Sequence, residues 1–195
     1  MDRKLLAWGL RRKPAPLPRL WLFTDDRRLP DPRTSVARLP RGRAGVVLRH
    51  DQDPARVSLG RDLARICRAR RLVLVVAGDV RLAAALQAGV HLRNGYRIGP
   101  VRTRGVTTSS AHSIPDLLRA RRARADLVFL SPAFATASHA GASGLGPLRW
   151  AAIARRRIPW SAGLAALGGV DGGTIRRLPP RLLQAAGAIG ALGAG

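Results

Sequence analysis

The chain contains no glutamate; all 11 of its acidic residues are aspartate. Lysine is nearly absent too, since every basic residue except Lys4 and Lys13 is arginine. There is one cysteine, Cys67, which excludes an internal disulfide and a cysteine-based zinc site. Cys67 follows Leu59, Leu63 and Ile66 at helical spacing, so it reads as a small buried hydrophobe. Aromatic residues make up only 4% of the chain, so most of the core must come from Leu, Val, Ile and Ala. No apolar run approaches the ~18 residues of a membrane span. The stretch Leu5 to Leu10 is short for a signal peptide, and the expected compartment is the cytoplasm.

What is present is a 195-residue chain with 46% hydrophobic residues, enough for one folded core. Its formal charge is +24. Such a field attracts nucleic acid, phosphorylated metabolites or anionic surfaces. The arginines are spread along the whole chain, and no basic block carries the interleaved aromatics that stack bases. Residues 1–19, with Pro14, Pro16 and Pro18, read as a basic, proline-punctuated tail. Residues 20–195 read as a single domain.

Strand-like and helix-like segments alternate through that domain. Strands are expected at residues 20–24, 45–48, 72–76, 89–92, 104–108, 126–130, 164–168 and 187–192. Helices are expected at residues 54–71, 80–87, 114–124 and 147–157. A further helical stretch at 174–186 is broken by Pro179-Pro180. Repeated β-then-α units predict parallel strands joined by right-handed crossovers. Eight of them predict a small (β/α)₈ TIM barrel whose first, fourth and last helices are reduced or missing. A doubly wound open sheet is the alternative architecture.

Three strand ends carry the chemistry. They close the motifs Gly105 to Ser113, which holds His112, Asp126 to His139, and Ala165 to Val170. A parallel barrel builds its site where apolar strands end in small, hydroxylated or glycine-rich residues.

The order of these motifs resembles the thiamine phosphate synthase/TenI family of small (β/α)₈ barrels, from about Leu20 to Gly195. Leu22-Phe23-Thr24-Asp25 is similar to the family's opening "LITD", and Val46-Val47-Leu48-Arg49 to its "VQLR". Gly89-Val90-His91-Leu92 matches "GVHL", and Ser110-Ala111-His112-Ser113 matches "SxHS". Residues 131–138 are similar to "GPxFxTxS", and residues 166–170 to "AIGGI". The resemblance implies a role in thiamine biosynthesis. One branch joins a pyrimidine pyrophosphate to a thiazole phosphate; the other isomerises a thiazole phosphate carboxylate.

By the same resemblance, Arg49, Ser110, Thr136, Ser138 and His139 bind substrate. Gly168, Gly169 and Gly190 hold the thiazole phosphate with backbone N–H groups, and His112 is the catalytic residue for proton transfer. His91 reads as structural, and no metal spacing emerges around His50. The family uses Mg²⁺, but its ligand positions are altered here. The family's Gln and Lys around the arginine fall on Val47 and Asp51, its "ND" pair on Ala77 and Gly78, and its Mg²⁺-binding Asp near Tyr96. Its Lys after "TxS" falls on His139. These departures favour an isomerase-like or altered activity over an efficient synthase. A non-catalytic paralogue that binds a phosphorylated ligand, and a basic barrel that binds nucleic acid by charge, are the alternatives.

Overall fold

The computed structural model describes residues 1–11, 16–96, 105–136, 143–156 and 162–193. Eight parallel strands close into a barrel in sequence order: β1 (Leu20–Phe23), β2 (Ala44–Leu48), β3 (Val73–Ala77), β4 (Gly89–Leu92), β5 (Thr107–Ala111), β6 (Leu127–Leu130), β7 (Gly163–Ala166) and β8 (Ala185–Ala188). β8 pairs with β1, with Leu20 opposite Ala186 and Trp21 opposite Gly187, and this closes the ring. The architecture is the expected (β/α)₈ barrel, not an open sheet.

Around the strands lie α1 (Arg3–Leu10), α2 (Arg33–Arg38), α3 (Arg56–Arg70), α4 (Val80–Ala85), α5 (Ile114–Arg122), α6 (Gly146–Arg155) and α7 (Gly190–Gly193). The reduced first barrel helix is the short α2; the place of the fourth, between β4 and β5, includes residues outside the described ones. Pro179-Pro180 leaves only a 3₁₀ turn at Thr174–Arg177 where a longer helix was expected. Proline lacks the amide N–H of the helix ladder and clashes with the preceding turn.

The first residues are not a free tail. Asp2 caps α1, accepting from the Lys4 and Leu5 amides at 2.8 and 3.1 Å. Its second oxygen accepts from Gly172 N–H at 2.7 Å, just beyond β7, and its own amide donates to Ala191 O in α7. At the other end, Gly9 lies so close to Leu20, which opens β1, that a Cβ there would collide with it. Leu10 O accepts from Arg43, just before β2. Helix α1 therefore runs from the C-terminal to the N-terminal end of the barrel. Every helix that follows a barrel strand runs this way, and α1 covers the outside of the β8–β1 seam. Leu5 is fully buried there with Leu20 and Leu22.

The barrel interior is filled by Trp21, Phe23, Val47, Val75, Ala77, Leu127, Phe129, Ala165 and Ala185. Three of the chain's eight aromatic residues, Trp21, Phe23 and Phe129, are here, packed edge to face. Trp21 meets Phe129 at 5.8 Å between centroids, and Phe129 meets Phe23 at 4.8 Å. Both cross-strand neighbours of Trp21 are glycines, Gly45 and Gly187. A Cβ at Gly45 would strike the Trp21 ring. Large rings on β1 and β6 thus stand opposite small residues on β2, β7 and β8, which is how a narrow barrel reaches close packing. No helix among the described residues is long and apolar enough to cross a membrane.

Candidate functional site

The C-terminal ends of the strands form the mouth of the barrel. Val47 points inward, so Arg49, two residues further along β2, has the same parity. Its amide donates to Thr24 Oγ1 at 3.0 Å, and its guanidinium stands 3.9 Å from Asp25. His50 is used structurally. Its Nε2 lies 3.1 Å from Pro30 O, which can only accept, so Nε2 carries the proton. Nδ1 then accepts from Thr24 Oγ1 at 2.9 Å.

Asp51 lies between two arginines. Arg93 Nη2 is 2.5 Å from one carboxylate oxygen, and Arg56 Nη2 is 3.4 Å from the other. Arg56 also donates to Ala77 O at 2.5 Å, at the end of β3. Gly78 has φ +69°, and a Cβ there would stand 3.3 Å from the Arg93 guanidinium. This glycine both makes the turn and leaves room for the arginine. Asp79 is committed to capping α4, accepting from Leu82 N–H at 2.9 Å. Among the described residues, no three His, Cys or Asp side chains converge as a metal-binding group.

His91 lies one layer below these arginines, inside the barrel. Its Nδ1 is 2.8 Å from Thr108 Oγ1, and its ring packs edge-on to Phe23 at 5.5 Å. Burial, and then the charges of Arg49 and Arg93, push its imidazole down to about 3. The unfolded chain protonates this ring near its usual 6.5, whereas the folded chain does so only near 3. Between those values the unfolded state binds more protons, so acidification favours unfolding. Urea unfolding at pH 7 and pH 5 checks this. The wild type should lose more stability over that interval than His91→Gln, and equal losses would contradict the assignment.

Across β5 the inward parity runs from Thr108 through Ser110 to His112. Ser110 Oγ donates to Asn94 Oδ1 at 3.3 Å and accepts from Asn94 N–H at 3.0 Å, tying β5 to the loop after β4. His112 is exposed at the strand end. Its Nδ1 lies 2.9 Å from Ser131 O, so Nδ1 holds the proton and Nε2 of the neutral ring carries the lone pair. The His112 amide donates to Asp116 at 2.8 Å, and Asp116 pairs with Arg119. Arg119 in turn donates from Nε to Asn94 O at 2.9 Å and lies over the Tyr96 ring. One network therefore holds Ser110 and His112 together.

Two strands further round the barrel, Gly168 and Gly169 follow β7 with φ +88° and +62°. The Gly168 carbonyl accepts from Phe134 N–H at 3.0 Å, and the Gly169 carbonyl from Thr174 Oγ1 at 2.9 Å. A Cβ at Gly168 would stand 3.1 Å from Thr136 Cγ2, which puts Thr136 beside this turn. Asp171 secures the segment beyond, accepting from Gly173 and Thr174 amides, each at 2.8 Å. Gly190 differs from the expectation. β8 ends at Ala188, so Gly190 opens α7 and does not lie within a strand. The space in front of it is open, with Arg28 Nη2 3.9 Å from where its Cβ would be. Ser138 and His139 lie outside the described residues.

The structure thus places Arg49, Ser110, His112, Thr136, Gly168, Gly169 and Gly190 around one mouth. Sequence reasoning missed Arg56, Arg93, Asp116 and Arg119. Arg93 was within reach, because it has the same strand parity as His91. The others are single residues among many similar ones.

A family model described as thiamine monophosphate synthase matches residues 22–188. The thiamine-phosphate synthase of Synechococcus sp. (strain WH7803) is 31% identical over 141 residues, which is 67% of this chain and 38% of that protein's length. Thiamine phosphate pyrophosphorylase from Pyrococcus furiosus has a similar structure, with a TM-score of 0.74 at 24% identity over 90% of this chain and 88% of that one. The corresponding protein from Bacteroides thetaiotaomicron gives 0.57 at 18% identity over 90% and 84%. At such identities these structures speak for the fold. The family match and the curated relative go further, and the chain belongs to the thiamine phosphate synthase/TenI family.

Proposed function

We propose that the chain is a cytoplasmic enzyme of thiamine biosynthesis that binds a thiazole phosphate in the barrel mouth and moves a proton on it. The observation that carries this reading is the setting of His112: Nδ1 donates to the Ser131 carbonyl, which leaves Nε2 as the atom that can take up and release a proton at the strand end. An imidazole set this way takes a proton at Nε2 and returns it from the same atom. The phosphate sits further round the mouth, past the end of β6, on the backbone of Gly168 and Gly169, with Gly190 and Arg28 beside it. Glycines let a backbone come close to phosphate oxygens, and the ends of strands seven and eight are the usual phosphate seat of a barrel. Thr136 lines this seat, and Ser110 and Arg49 flank the ring of the ligand.

The test is isomerisation of thiazole phosphate carboxylate followed by NMR in D₂O. His112→Ala should lower turnover by about 100-fold or more, the usual range for a lost general base. Its binding of the substrate should change only a few-fold. Unchanged turnover would remove His112 from the chemistry. Saturable binding without turnover in the wild type would leave a binding paralogue.

A further inference from the structure

Every strand of the barrel rises towards the mouth and the helices between strands descend, so residues at helix ends meet on one face although they are far apart in sequence. On that face, the floor, arginine collects. Helices α2, α3, α5 and α6 each carry arginine in the last turn. Arginine follows again in the segments that lead into β2, β3 and β6, at Arg41, Arg71 and Arg124. The Gly42 amide donates to Arg70 O at 3.0 Å, and Arg70 Nη2 donates to Leu39 O at 2.8 Å, which joins the segment before β2 to the end of α3.

The acidic residues are placed the other way. Of the 11 aspartates, only Asp126 leads into a strand, and it accepts from Thr107 N–H at 2.8 Å at the foot of β5. Asp62 lies midway along α3, and the others stand beyond strand ends or at helix starts, towards the mouth. Arg41, Arg71, Arg121, Arg122, Arg124 and Arg155 are exposed and have no aspartate partner among the described residues. A helix C-terminus favours a cation through its dipole, which accounts for arginines in the last turns. It does not account for Arg71 and Arg124, which stand just beyond α3 and α5 at φ +54° and +55°. Glycine or asparagine is the ordinary residue in this left-handed region. An arginine there gives up backbone ease and gains a charge at the floor.

The chemistry of the face selects its partner. Among the described residues, Leu10 is the one exposed large hydrophobic residue at this end; Val57, Ile114 and Leu148 open α3, α5 and α6, and Tyr96 follows β4. A protein interface is built around a buried apolar centre, and a membrane-binding face around inserted Trp, Phe or Leu. The floor has neither. Nor does it present a free ring for single-stranded bases, since Trp8 is half-buried with the Arg19 guanidinium over it. It presents guanidiniums spaced over a broad face, and these match the phosphates of a duplex. We propose that the floor of the barrel, through Arg41, Arg71, Arg121, Arg122, Arg124 and Arg155, binds the phosphate backbone of double-stranded nucleic acid without regard to base sequence. The face lies at the opposite end of the barrel from the mouth, and the inference does not rest on the thiazole reading.

Fluorescence anisotropy of a short labelled duplex of mixed sequence, titrated with the full chain over a range of salt, tests it. Each phosphate contact adds about −0.9 to the slope of log affinity against log salt. The floor triple Arg41→Gln, Arg71→Gln, Arg124→Gln should weaken binding about 10-fold or more and make that slope shallower by about 2 to 3. The triple Arg61→Gln, Arg81→Gln, Arg149→Gln removes the same charge nearer the mouth and should change affinity by less than about 2-fold. None of these six side chains has a hydrogen bond or ion pair among the described residues, so neither triple removes a contact of the fold. No binding of the duplex even at low salt would overturn the proposal. So would equal losses in the two triples, because they would assign the binding to diffuse charge. Floor-dependent binding of phosphatidylserine vesicles in place of the duplex would overturn it as well, and would assign the face to an anionic membrane.

Discussion

Gly169→Asp should reduce binding of thiazole phosphate by about 100-fold or more, read by calorimetry on the purified protein. Two effects act together. A carboxylate placed where a phosphate must approach repels it, and in a partly desolvated turn that repulsion is several times stronger than in water. Gly169 also has φ +62°, and a Cβ there would collide with Ala135 O and crowd Phe134. A side chain therefore strains the turn as well as charging it. Gly190→Asp separates the two effects, since nothing nearer than Arg28 surrounds that position. It adds the charge without the collision and should cost about 10-fold. Unchanged affinity in both variants would remove the phosphate from this side of the mouth.

Trp21→Ala should cost about 3–5 kcal/mol of stability, the range for deleting a large buried aromatic. The melting temperature should fall by roughly 10 °C or more for a chain of this size. The cost belongs at the upper end because the site cannot collapse. The cross-strand neighbours of Trp21 are Gly45 and Gly187, and neither has a side chain to move into the void. The deletion also leaves the Pro18 carbonyl, which accepts from Trp21 Nε1 at 2.8 Å, without that donor. A loss below about 1 kcal/mol in urea unfolding would mean that the interior is filled differently.

These two variants mark what could and could not be read from the residues. β4 has the bounds expected for it, residues 89–92, because its apolar run is short and flanked by clear breaks. β5 moved from residues 104–108 to Thr107–Ala111. Its hydroxyls look like a strand end. In the fold, Thr108 meets His91, and Ser109 Oγ accepts from Gly95 N–H at 3.0 Å. Local partners let polar residues occupy a buried strand. β8 moved to Ala185–Ala188, a segment with no β-branched or aromatic residue to announce it. It is a strand because the rings of Trp21 and Phe23 require small neighbours, a tertiary cause that overrides propensity.

Helix α1 had readable signals, an Asp cap and apolar residues from Leu5 to Leu10, but the prolines after it suggested a tail. Its docking against Gly172 and Ala191 depends on residues some 170 positions away, beyond the reach of any local pattern. The site divides in the same way. His112 and the Gly168-Gly169 pair stood out through their motifs, while the tautomer of His112 depends on a carbonyl of another strand. The arginine cluster on Asp51 was hidden by composition. In a chain where arginine is everywhere, only the register of β2, β3 and β4 separates Arg56 and Arg93 from the solvated majority.

The most direct measurement is a product assay by mass spectrometry on the purified protein, supplied with thiazole phosphate carboxylate and compared with a no-enzyme control. Pyrimidine pyrophosphate is added in a second reaction, with and without Mg²⁺. The account predicts isomerised thiazole at an enzymatic rate in the first reaction, lost in His112→Ala. No isomerised thiazole and no thiamine phosphate under any of these conditions would contradict it.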